Sequence, residues 1–125
     1  MSVALPKILS VGTANPDTYY TQQDILERFQ VNHPVVRQIF SASHIKGRYL
    51  YLPPVSDEGI PKETQAELLA KHRKGALELG AKAIERCLEP LGLKTSDIDM
   101  LCCISSTGFM LPGLTAMFVK HFGFR

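Results

Sequence analysis

The chain has 125 residues, of which 45% are hydrophobic and 21% are charged, and its formal net charge at pH 7 is +2. This balance is typical of a globular domain, or of part of one, and argues against intrinsic disorder. The basic residues are scattered, and no basic stripe is interleaved with aromatic side chains, so the composition disfavours a nucleic-acid-binding protein.

The first predicted element is a strand near the N-terminus. Residues 8–11 form a short apolar run that Gly12 and Pro16 close. Such a run is typical of a buried strand that enters a loop. The start of the chain has no cationic region, and Pro6 and Lys7 interrupt its apolar residues, so no secretory signal is predicted.

Two short helices are predicted next. Thr21 with Asp24 three residues later forms a capping-box pattern, which predicts a helix over 22–30. Pro34 fits the first turn of a second helix. The expected buried faces are Ile25, Leu26 and Phe29 on the first helix and Val35, Val36, Ile39 and Phe40 on the second.

A long helix follows an extended segment (48–54) and a loop (55–63). Its pattern runs from about residue 64 to 91, where Pro90 and Gly92 end it. One stripe of this helix is made mostly of small residues, namely Leu69, Ala76, Gly80, Ala83 and Cys87. Because a glycine inside a helix costs about 1 kcal/mol relative to alanine, we expect the stripe to permit close approach of another backbone.

Residues 100–119 carry no charged side chain. The run reaches the length of a membrane-spanning helix, but helix breakers and hydroxyl groups at 105–108 and at Pro112-Gly113 argue against one. We therefore predict a parallel strand at 100–104 that is buried on both faces, then a polar turn, then an amphipathic helix ending near Gly123. No membrane association is expected.

The order strand, helices, long helix, strand, helix predicts an α/β fold. Two strands form a marginal sheet at best, so further strands are expected from elsewhere. Ligands of open α/β sheets bind where parallel strands end, and the turn at 105–108 follows such an end. The turn is therefore either the wall of a ligand pocket or a simple connection between strand and helix.

The cysteines and histidines do not form a recognisable reactive or metal site. Cys102 and Cys103 are adjacent in the predicted strand and point to opposite faces, so they do not chelate a metal, and core packing is expected for both and for Cys87. The four histidines are isolated, with no ligand at suitable spacing. Few, unpaired cysteines are typical of a reducing compartment, and we expect a cytoplasmic protein.

Three motifs resemble a known family. The segments "ILSVGTANP" near the start, "IKGRYLYL" (45–52) and "DIDMLCCISSTGFMLPGL" (97–114), in this order and spacing, resemble the N-terminal part of chalcone synthase-like type III polyketide synthases. The paired cysteines before "SSTGF" are most similar to the bacterial dihydroxyphenylacetyl-CoA synthase branch.

This resemblance implies a fold and an activity. The chain would be part of a thiolase-like fold with αβαβα layers. The complete protein would work as a homodimer. The family decarboxylates malonyl-CoA and condenses the product onto an acyl-CoA starter by means of a Cys-His-Asn set. It uses CoA thioesters as substrates and no dissociable cofactor or metal.

The resemblance also assigns roles to individual residues. The implied substrate-binding residues are Ser106, Thr107, Phe109 and Leu111, and the implied dimer-interface residues are Leu111 and Pro112. Positions where the family often places basic groups for the CoA phosphates hold Val35, Gln38 and Ala42, so Arg37 and Lys46 are the remaining candidates for binding CoA.

No catalytic residue is assigned within 1–125, because the family's cysteine, histidine and asparagine lie further along the chain. The residues are thus expected to form a partial N-terminal thiolase-like domain that is inactive alone. The alternative is a non-catalytic module that associates with a polyketide synthase through the 108–113 loop.

Overall fold

The computed structural model describes residues 5–124, which form two compact units, one of residues 15–68 and one of residues 5–14 with 69–124. In chain order the elements are β1 (Tyr19–Thr21), α1 (Gln22–Arg28), α2 (Pro34–Ala42), β2 (Gly47–Tyr49), α3 (Gln65–Leu88) and α4 (Leu114–Phe122). Short 3-10 helices occupy Glu89–Leu91 and Thr95–Asp97. The predicted helices are confirmed.

The unit of residues 15–68 is built on an antiparallel pair of strands, β1 and β2. Tyr19 pairs with Tyr49, and their rings meet edge to face with centroids 5.2 Å apart. Gly47 pairs with Thr21, and a side chain at Gly47 would overlap the Tyr20 carbonyl and the Tyr19 ring. The pairing therefore depends on glycine at this position.

Helix α1 begins with the predicted capping box. The Thr21 hydroxyl accepts a hydrogen bond from the Asp24 N–H at 3.1 Å, and the Asp24 carboxylate accepts one from the Thr21 N–H at 2.7 Å. The Thr21 N–H and hydroxyl both donate to this carboxylate and hold the pKa of Asp24 below its ordinary value, with the backbone hydrogen bond as the largest cause. Leu26 on this helix is 2% exposed and forms the core of the unit.

The predicted buried face of α2 is only partly confirmed. Val36 and Phe40 are half-buried, whereas Val35 and Ile39 are exposed. The helix packs against α1, and one neighbouring helix covers only part of an apolar stripe. The apolar residues left outside this contact face solvent.

In the other unit, α3 confirms the expectation of close approach. The backbone at Gly12 lies so near Ala83 and Cys87 that a Cβ built there would be 2.6 Å from the Cys87 nitrogen. On the same helix, the ring of Phe118 from α4 packs directly over Gly80. Phe118 and Ala81 are the buried apolar residues among those described in this unit.

The ends of the helices follow local signals. A second capping box starts α3, where the Glu67 carboxylate accepts hydrogen bonds from the Thr64 N–H and hydroxyl at 2.7 and 2.8 Å. These bonds lower the pKa of Glu67, the backbone one most. Helix α4 starts at Leu114 behind Gly113, two residues later than a helix begun by Pro112 would. It ends at Gly123, whose φ of 65° is readily adopted by glycine.

Both predicted apolar strands differ from the prediction. Residues 7–11 and 100–104 form no regular strand, and Ile8 and Ile104 are 89% and 93% exposed instead of buried. A parallel strand buried on both faces needs neighbouring strands and a layer on each side. Within residues 5–124 the strand pairing is that of β1 with β2, together with an isolated bridge, so these partners are missing.

Candidate functional site

The segment 105–113, which we call the pocket loop, connects the irregular segment at 100–104 to α4. The Ser105 hydroxyl donates to the Thr107 carbonyl at 2.8 Å, and this bond closes a tight turn. Gly108 follows with a φ of +75°, a conformation that glycine adopts without strain. Hydrogen bonding and glycine geometry thus define the first half of the loop.

The substrate-binding and dimer-interface residues assigned by resemblance all lie in this loop and are exposed. Phe109 and Leu111 are 78% and 76% exposed, and Ser106, Thr107 and Pro112 are exposed as well. Exposed large apolar side chains next to one another are typical of surfaces that are covered in an assembly. Their roles in substrate binding and in the dimer interface stay predictions.

A pocket of about 300 Å³ lies under the pocket loop. It is lined by Cys103, Ser105, Gly108, Phe109, Met110, Gly113, Leu114 and Thr115. The lining contains two hydroxyl groups, one thiol and apolar side chains, and none of it is charged. Such a surface can hold a short acyl chain and orient a carbonyl, but it offers no cation for a phosphate.

Ser105 and Gly108 belong to the turn that is predicted as a possible pocket wall, and Phe109 is a predicted substrate-binding residue. Cys103 lines the pocket as well, although core packing is predicted for it. The signal that could have placed Cys103 in the pocket is a period-two pattern, because residues i and i+2 of an extended segment share a face. Cys103 and Ser105 stand in that relation, and both line the pocket. Ser106 and Thr107 are outside this lining.

The cysteines are free thiols with different exposure. Cys103 and Cys87 are half-buried, whereas Cys102 is exposed, so core packing does not hold for Cys102. Cys102 is exposed because no other element covers the segment 100–104 in which it lies. Among residues 5–124 no group of three or more His, Cys, Asp or Glu side chains could hold a metal ion, and no helix could cross a membrane.

The two candidates for CoA binding lie in the unit of residues 15–68. The Arg37 guanidinium donates to the Val31 carbonyl at 2.9 Å, so one of its N–H groups already helps to anchor α2. Lys46 has an exposed side chain. Val35, Gln38 and Ala42 are exposed on α2, which therefore presents no cation at these positions.

The comparison with known sequences gives a specific match. A protein from Streptomyces toyocaensis named 3,5-dihydroxyphenylacetyl-CoA synthase is 44% identical over 119 residues, which cover 94% of this chain and 30% of that protein. No protein-family profile matches the chain. The chain thus spans about a third of the length of this relative.

Solved structures match over a similar share. PKS-I from the brown alga Ectocarpus siliculosus matches with a TM-score of 0.78 at 26% identity, covering 94% of this chain and 36% of that one. Tetrahydroxynaphthalene synthase from Streptomyces coelicolor, described as a bacterial type III polyketide synthase, matches with a TM-score of 0.73 at 24% identity, covering 93% and 35%. The α/β fold is therefore part of a thiolase-like fold.

Proposed function

We propose that this chain, which is related in sequence and fold to type III polyketide synthases over about a third of their length, is the N-terminal segment of such an enzyme. The complete protein would then be an acyltransferase that condenses malonyl-CoA with a CoA-linked starter. The observation that carries the proposal is 44% identity over 94% of the chain.

The exposed apolar surface supports this proposal. Ile8, Met100 and Ile104 are each more than four-fifths exposed, at 89%, 84% and 93%. Large apolar side chains with such exposed fractions are typical of a surface that other protein elements cover. The remainder of a synthase would supply the neighbouring strands and layers that these segments lack.

The chemistry of the complete enzyme would be shared between this segment and the rest. In the proposed reaction, malonyl-CoA loses CO2 and leaves an enolate, whose carbon attacks the thioester carbonyl of the cysteine-bound starter. The new carbon–carbon bond forms as the cysteine thiolate departs. The cysteine, and the histidine and asparagine that stabilise the enolate oxygen, would come from outside these 125 residues.

The segment would contribute to binding. The uncharged pocket under the pocket loop suits the acyl part of a thioester, and Ser106, Thr107, Phe109 and Leu111 would complete its wall. Leu111 and Pro112 would contact the second subunit of a homodimer, where their exposure would be lost. Arg37 and Lys46 remain the candidates for the CoA phosphates, and no cofactor or metal is required.

The name of the Streptomyces relative points to a product class. It denotes a synthase of 3,5-dihydroxyphenylacetyl-CoA, an aromatic acid joined to CoA. On this similarity we propose a CoA-linked aromatic polyketide as the product of the complete enzyme.

The test is to read the coding sequence beyond codon 125 and to assay the protein. An in-frame continuation with a cysteine in a glycine-rich turn, and release of labelled CO2 from malonyl-CoA by the encoded protein, would support the proposal. The isolated 125-residue chain should release none. A stop codon after residue 125, with a stable soluble product, would favour the partner-binding module instead.

A further inference from the structure

The turn of the pocket loop rests against His72 of α3. A Cβ built on Gly108 would lie 2.6 Å from Nε2 and 2.8 Å from Cγ of the His72 ring, and closer still to Cδ2. Real side chains do not approach so closely, so the imidazole occupies the space of any residue larger than glycine. His72 and the loop belong to the same compact unit.

The polar atom of this imidazole is enclosed. His72 Nε2 is shut off from solvent and has no hydrogen-bond partner among the residues that the structure describes. No hydrogen bond from Nε2 therefore holds the loop, and the His72 ring contacts Gly108 only by steric packing.

His72 also stands on a rigid element. Helix α3 is 24 residues long, and its neighbours Gly12 and Phe118 pack tightly against it. The loop, in contrast, holds itself by the single bond from Ser105 to Thr107 among the hydrogen bonds described for it. The helix therefore provides a fixed surface for a loop with little support of its own.

We propose that His72 is a positioning residue, whose ring sets the place of Gly108 and thereby the width of the pocket under the loop. This inference rests on the proposed acyltransferase function. The ring acts through the loop wall, so it would govern the fit of the starter acyl group and leave the bond-forming step to other residues. Its shape matters, and its nitrogen does not.

The experiment is a double-mutant cycle in the complete enzyme. The variants are Gly108→Ala, His72→Ala and the pair. The methyl group added by Gly108→Ala overpacks the contact with the His72 ring, so this variant should lower kcat/KM for the starter by about tenfold. His72→Ala should restore part of this loss in the pair. Two fully additive single losses would overturn the proposal.

Gly92→Ala is the matched control. Gly92 also has a positive φ, of 63°, but a Cβ there would meet nothing within 4 Å. Gly92→Ala introduces the same kind of backbone strain as Gly108→Ala but no clash, so it should leave kcat/KM for the starter unchanged. An equal loss in both alanine variants would show that strain alone matters, and the inference would be wrong.

His72→Phe separates shape from hydrogen bonding. It keeps a flat ring without Nε2 and should retain the loop, whereas His72→Ala should raise KM for the starter with little change in kcat. A fall in kcat at constant KM would indicate general destabilisation and contradict the proposal, as would equal defects in both variants.

Hydrogen exchange of residues 105–113 in the same proteins gives a readout that does not need activity. Gly108→Ala and His72→Ala should each accelerate exchange there, and the pair should accelerate it by less than the sum. If this coupling appears in a protein that does not use malonyl-CoA, the proposed function fails and His72 still positions the loop. If exchange of residues 105–113 is unchanged in both single variants, His72 does not position the loop.

Discussion

Gly80 is the position where two physical effects oppose each other, and Gly80→Ala decides between them. Alanine in a helix interior is about 1 kcal/mol more favourable than glycine, so propensity alone predicts stabilisation. The Phe118 ring predicts the reverse. A Cβ at this position would lie 3.0 Å from Cε1 and 3.2 Å from Cε2 of the ring, and nearer to Cζ.

The ring has little room to move away. Phe118 is 3% exposed and lies in the middle of α4. Forcing an extra methyl group into such a contact costs about 1–3 kcal/mol, which equals or exceeds the gain in helix propensity. We therefore expect Gly80→Ala to lower the free energy of unfolding by up to about 2 kcal/mol.

Urea unfolding of the protein, followed by circular dichroism, measures this change. Ala70→Gly calibrates the propensity term, since Ala70 is exposed on the same helix and should cost about 1 kcal/mol. Gly80→Ala combined with Phe118→Leu should lose less than the sum of the two single losses. If Gly80→Ala stabilises the protein by as much as Ala70→Gly destabilises it, the packing of Phe118 over Gly80 is refuted.

Three further outcomes are expected. Leu26→Ala should lower the free energy of unfolding by about 2–5 kcal/mol, because the side chain is 2% exposed; a loss under 1 kcal/mol by denaturant titration would contradict its place in the core. The pKa values of the Asp24 and Glu67 carboxyls are lowered in the folded protein, so the ionised carboxylates stabilise the fold at pH values above their ordinary pKa. Tm should therefore fall as the pH drops below about 4 and through the lowered native pKa values. A Tm that rises on acidification would reverse this sign. Ile104→Ser should reduce dye binding and aggregation of the isolated chain, since Ile104 is 93% exposed, and unchanged aggregation would show that other surface dominates.

The helices were predictable from sequence because their signals are local. Thr21 and Asp24 satisfy each other's backbone within one turn, and Gly123 adopts the left-handed conformation that ends α4. Neither feature needs a distant partner. The same kind of signal at Thr64 and Glu67 marks the start of α3.

The strands and burial were less predictable because they depend on neighbours. Residues 100–104 have the composition of an interior strand, yet a strand exists only when another pairs with it. β1 was missed for the converse reason, since Tyr19–Thr21 is defined by its pairing with Gly47–Tyr49, 26 to 30 residues away. In the pocket, the place of Cys103 could have been predicted from its period-two spacing to Ser105, but the contact of His72 with Gly108 joins residues 36 apart.

The contact of the N-terminal segment with α3 has a consequence for synthesis on the ribosome. Arg86 donates to the Thr13 carbonyl at 2.9 Å across a separation of 73 residues. At about 5–20 residues per second, the partner is made roughly 4–15 s after Thr13 itself. During that interval Gly12 and Thr13 emerge without the helix on which they dock, and their contacts with Cys87 and Arg86 form only once α3 has been made.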